Sequence, residues 1–175
     1  GIQYAIQLHL VSCGTNATSI GFISGGISLM MLVGSLLAGK LSDKVPVGPT
    51  VCLAYLFICL CVLPMTLTDS YWIMLVANSF VGLPFPLINA MLLGFIFAKS
   101  PTSMQGRITV TLTVPAQVLS MFCSAVAGTL LPVFGFHGAV LVFLAVLVAS
   151  AVLVICSRSI RSIPKAAQWE HTMLR

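Results

Sequence analysis

Acidic side chains are almost absent from this sequence: three Asp or Glu stand against eight Lys or Arg in 175 residues. Charged residues make up 6% of the chain, where a soluble domain carries about 25%, so no water-soluble surface can be assembled from them. Lipid must solvate most of the chain, in keeping with a mean hydropathy of +1.12. Basic runs and basic-aromatic interleaving are also missing, which argues against nucleic acid as a partner despite the net charge of +5. The six cysteines (Cys13, Cys52, Cys59, Cys61, Cys123, Cys156) form no C-x-x-C pair and have no nearby His cluster. They read as small, lipid-compatible core residues, and no metal site is expected. No short apolar region with a cleavage site marks a signal peptide, and the chain opens on Gly1 without Met, so it reads as a piece of something longer. At membrane depth there is no Ser-His, His-Glu or paired-carboxylate constellation, which argues against an intramembrane enzyme.

What is present is apolar length. Residues 1–13 are too few for a hydrocarbon core needing roughly 20 helical residues, and read as the outer end of a partial helix. Full spans are expected at about 17–39, 50–67, 72–97, 108–131 and 138–156, followed by a polar, basic tail at 158–175. The third of these must bend or break at Pro84-Phe85-Pro86, where two N–H donors are missing and the rings clash with preceding carbonyls. Pro115 is expected to interrupt the fourth. Pro84, Pro86 and Pro115 are therefore the hinge candidates.

Alternation of the spans places Lys40, Lys44, Lys99, Arg107, Arg158, Arg161, Lys165 and Arg175 on one side. Chance would do this in only about one case in a hundred, and the positive-inside rule makes that side the cytoplasm. The expected location is the plasma (inner) membrane, multi-pass, with a cytoplasmic carboxy terminus and the Asp69 and His137 turns outside.

The faces of the spans separate them. In 17–39, Gly21, Gly25, Ser28, Ser35 and Gly39 share one face with Leu32, a surface suited to close packing against other helices. Asn78, Gly82, Phe85 and Asn89 share a face of the Pro-bent span; Thr109, Thr113, Gln117, Ser120, Ser124 and Gly128 share one of the next; Gln3 and Gln7 lie one turn apart. Spans 50–67 and 138–156 hold no amide or charge in their middles and are expected at the lipid-facing periphery. Amides at depth are either interhelical hydrogen-bond glue or the lining of a cavity. Their recurrence on three helices favours a polar pathway, with Gln3, Gln7, Asn78, Phe85, Asn89 and Gln117 as the substrate-pathway candidates. His9, alone at a helix end, reads as an interface residue rather than a proton carrier.

The stretch Gly39-Lys40-Leu41-Ser42-Asp43-Lys44 resembles the Gly-x-x-x-Asp-Arg/Lys loop of the major facilitator superfamily, although Val45-Pro46-Val47-Gly48 departs from the pattern that follows it. Val81-Gly82-Leu83-Pro84-Phe85-Pro86, Gln105-Gly106-Arg107-Ile108 and Ala127-Gly128-Thr129-Leu130 with Phe134-Gly135 resemble the tenth and eleventh helices of its drug and siderophore exporter branch, which includes macrolide efflux proteins and the enterobactin exporter. The resemblance implies an all-α, polytopic membrane helix bundle, the carboxy-terminal six-helix half of a twelve-helix transporter with its first helix partial. It implies gating by Gly39, Asp43, Lys44 and Arg107, with Asp43 pairing Arg107 on the cytoplasmic side.

The function so implied is secondary active export of a small amphipathic compound by alternating access. Its partners would be the lipid bilayer, the missing amino-terminal half and the substrate. No cofactor is expected. A proton or other ion gradient would drive transport through carboxylates of the other half, because the spans here hold none. The alternative is a non-transporting membrane assembly or truncated pseudotransporter of the same fold.

Overall fold

The computed structural model describes residues 1–41, 45–98 and 100–157, and every regular element among them is helical. The helices are α1 (Ile2–Ser12), α2 (Ala17–Leu41), α3 (Val47–Val62), α4 (Tyr71–Val81), α5 (Pro84–Ala98) and α6 (Gln105–Cys156), with 3-10 turns at Leu63–Thr66 and Thr102–Met104. Among the described residues, four stretches are long and apolar enough to cross a membrane: Ala17–Leu41, Val47–Thr66, Tyr71–Ala98 and Gln105–Cys156.

Backbone chemistry sets the breaks. Gly14 ends α1 at φ 70°, and its N–H bonds to the Val11 carbonyl while that of Thr15 bonds to the Leu10 carbonyl, the paired bonds of a Schellman ending. Pro46 stands extended before α3, and its carbonyl accepts the Thr50 hydroxyl at 2.7 Å. Between α4 and α5, Pro84 has no N–H to give the Phe80 carbonyl. Leu83 donates to that carbonyl instead, at 3.1 Å, and Gly82 donates to Ser79 at 3.0 Å, so the helix tightens and stops.

α2 runs parallel to α4 and α5, as three contacts along its length show. The Tyr71 hydroxyl donates to the Ser19 carbonyl at 2.8 Å; farther along, Gly26 faces Ser79 and Gly34 faces Leu83. The ends of α2 and α5 therefore lie at one end of the bundle, and the starts of α2 and α4 at the other. In α6 a single residue, Gly135, leaves helical geometry, at φ 69° and ψ −179°. The helix kinks there into two arms, and Phe143 of the second lies against Gly1. At 1.5 Å per residue the two arms, 105–134 and 136–156, reach ~45 Å and ~32 Å, each enough for a hydrocarbon core of about 30 Å. The second arm packs antiparallel to α1, with Phe136 beside His9 and Phe143 beside Gly1.

Three expectations are overturned. Among the described residues the small-residue face of α2 is not the one that packs: Gly21, Gly25, Ser28, Leu32, Ser35 and Gly39 are exposed, whereas Ile23, Gly34 and Ala38 are buried. Backbone relief decides this, because Gly82 and the break after it admit the α2 backbone on the Gly34 side, where a Cβ on Gly82 would come within 2.6 Å of the Ile27 carbonyl oxygen. Nor is α3 peripheral among the described residues. It packs against α4, α5 and α6 and buries Val47, Val51, Ala54, Ile58 and Val62, a stripe at helical spacing hidden in a sequence that is apolar all round. Pro115 does not interrupt its helix: only Gly135 leaves helical geometry in α6, and prolines are tolerated in membrane helices where local adjustment re-satisfies the freed backbone groups.

Candidate functional site

Three of the polar-pathway residues converge. Gln3 from α1, Asn78 from α4 and Phe85 from α5 line one cavity of about 340 Å³, closed elsewhere by apolar side chains such as Ile58 and Phe143 and by the hydroxyl-bearing Ser150. Asn78 is 2% exposed, and its amide nitrogen lies 3.5 Å from the Ile23 carbonyl, at the outer limit of a hydrogen bond. The Gln3 Oε1 is buried with no hydrogen-bond partner among the described residues. One turn along α1, Gln7 donates to the Ser24 hydroxyl at 3.1 Å, so this amide ties α1 to α2. The cavity thus presents an acceptor without a partner among the described residues and a weakly held amide inside an apolar wall. A larger cavity of about 500 Å³ between α3 and α4, around Pro64, Trp72 and Phe80, is almost wholly apolar and offers nothing to orient a ligand.

Asn89 and Gln117 do not reach the cavity; both are exposed, on α5 and on the first arm of α6. Pro84 and Pro86 begin α5, directly after the break, and Pro84 is buried. Of the gate residues, Gly39 is exposed with open space around its Cα, and Arg107 is exposed in the first turn of α6. Asp43 and Lys44 lie outside the described residues, and the pairing of Asp43 with Arg107 lies there with them.

At the opposite end of the bundle the structure gathers a cluster that the sequence reading left apart. The Asp69 Oδ1 lies 3.5 Å from His137 Nε2 and 4.0 Å from His9 Nε2, and the His9 ring stacks on Phe136 at 4.2 Å between centroids. Burial holds the His9 imidazole below its usual pKa; the Asp69 carboxylate opposes that shift and His137 adds to it. The signal for this cluster was topological. His9 stands at the end of α1 and Asp69 and His137 follow turns that alternation of the spans assigns to the same side, although 60 or more positions separate His9 from the others.

The apolar spans, the break before Pro84 and the amides between helices coincide with a family match across the chain: the model of the Major Facilitator Superfamily aligns with residues 2–173. The chain belongs to the Major Facilitator Superfamily. It is accordingly a membrane protein of a transporter family, and the cavity among α1, α4 and α5 is its candidate ligand site. No curated protein and no solved structure matches the chain.

Proposed function

We propose that this major facilitator chain is the carboxy-terminal bundle of a secondary active exporter that moves a small amphipathic compound, drug-like or siderophore-like, by alternating access. One observation carries the reading. The small and polar faces that belong inside a membrane protein are uncovered: Gly21, Gly25, Ser28 and Gly39 on α2, Asn89 on α5, and Thr113, Gln117 and Ser120 on α6 are all exposed. Amides and close-packing glycines facing lipid gain nothing there and lose hydrogen bonds, so these faces call for a second bundle or a wet pathway between the two. The other half supplies both, along with the carboxylates for ion coupling that these spans lack. On the cytoplasmic side Asp43 clasps Arg107, a weak contact of at most about 1 kcal/mol, suited to being broken in every cycle.

The test is accumulation of fluorescent amphipathic compounds by cells expressing the intact gene, with and without a protonophore. Export lowers accumulation, and collapse of the gradient restores it. Accumulation equal to that of empty-vector cells for all compounds, with the protein present in the membrane, would favour a non-transporting assembly of the same fold.

A further inference from the structure

We infer that His9, Asp69 and His137 form an acid-released clasp holding the end of α1 against the second arm of α6, at the opposite end of the bundle from Lys40. The clasp joins three segments far apart in sequence: the last turn of α1, the turn leading into α4, and the residues just past Gly135. Its pieces suit a switch. One carboxylate oxygen sits between two imidazoles, at 3.5 and 4.0 Å, and so can neutralise one imidazolium but not two. The His9 side chain is 20% exposed with its face on Phe136, so charging it removes an ion from water. The Phe136 face returns some attraction to a cation, but the second positive charge has no partner. Gly135 next to it is the one residue of α6 outside helical geometry, so the segment released is already hinged.

The titratable groups facing His9 are few. On its own helix side, the Cys13 thiol lies 3.8 Å from Nε2. Asp69 comes from the turn before α4 and His137 from α6. The only titratable side chain of α2, Lys40, lies at the far end, and Tyr71 spends its hydroxyl on the Ser19 carbonyl. The sign follows from the burial of His9. A histidine held below its ordinary pKa in the clasped state stabilises that state while neutral, and the stabilisation is lost as pH falls. This inference stands on the cluster's geometry and not on the transport reading.

Nitroxide labels on p-acetylphenylalanine at Val11 and Leu141, which are 61% and 52% exposed, would report the separation of α1 from the second arm of α6 in the full-length protein with its cysteines intact. Between about pH 8 and pH 5, where imidazoles titrate, the spin–spin distances should lengthen. His137→Gln leaves one imidazole to one carboxylate and should flatten the response. Asp69→Asn, at a side chain 66% exposed, should move its midpoint to higher pH. Distances independent of pH in the wild type would overturn the clasp, as would a wild-type response in His9→Gln/His137→Gln or an unshifted midpoint in Asp69→Asn.

Discussion

Gly34 of α2 lies so close to the Leu83 carbonyl, in the break between α4 and α5, that a Cβ at position 34 would collide with the backbone. Backbone cannot move aside as a side-chain tip can, so Gly34→Leu should force α2 away from the break and cost about 1–3 kcal/mol. Gly25→Leu, where a Cβ meets nothing among the described residues, should leave the bundle's thermal unfolding in detergent unchanged while impairing transport by the intact protein. Equal melting temperatures for Gly34→Leu and wild type would show that the contact is not a packing constraint.

The difference between those two glycines also marks the limit of what could be read without the structure. Apolar length revealed an all-helical membrane bundle, and Pro84 and Pro86 marked the break before α5, because a missing N–H acts locally. Which face of α2 packs was not readable: glycines lie on both of its sides, and the choice depends on relief at Gly82, dozens of residues away. α3 carries its buried stripe from Val47 to Val62 among equally apolar neighbours, so no contrast in polarity betrayed it. Of the amides, Asn78 and Gln3 meet in one cavity while Asn89 and Gln117 stay outside it, although all four look alike in the sequence.

Gln3 offers a prediction in which stability and function part. Its buried Oε1 lacks a donor among the described residues, a defect that costs about 1–3 kcal/mol, so Gln3→Leu should stabilise the protein or leave it unchanged. If the cavity binds ligand through that acceptor, the same substitution should weaken export by roughly tenfold or more in apparent affinity, the loss of one buried hydrogen bond. Melting temperature and efflux measured on one preparation separate the two effects. Full efflux in a stabilised Gln3→Leu would remove Gln3 from the ligand site.

The cytoplasmic contact proposed between Asp43 and Arg107 rests on charge, and charge can be exchanged. Asp43→Asn and Arg107→Ala should each depress efflux by the intact protein without altering its amount in the membrane. Asp43→Arg combined with Arg107→Asp should recover part of the loss, because a clasp needs opposite signs and not a particular order. Wild-type efflux in both single variants would dispose of the clasp.

Sidedness ties the two ends of the bundle to the cell. The parallel run of α2 and α5 brings Lys40 and the start of α6, with Arg107, to one end, while His9, Asp69 and His137 gather at the other. If all eight basic residues obey the positive-inside rule, the first end is cytoplasmic. In a variant free of native cysteines, a membrane-impermeant maleimide applied to intact cells should therefore label Asp69→Cys, while Lys44→Cys and Arg158→Cys react only after the membrane is opened. The pairing of results matters more than any single one, because four crossings separate Lys44 from Arg158 when both α6 arms on either side of Gly135 span the bilayer, and three when one of them does not. Labelling of Lys44→Cys and Arg158→Cys from opposite sides would mean that one arm does not cross, and the orientation assigned to the His9 cluster would fall with it.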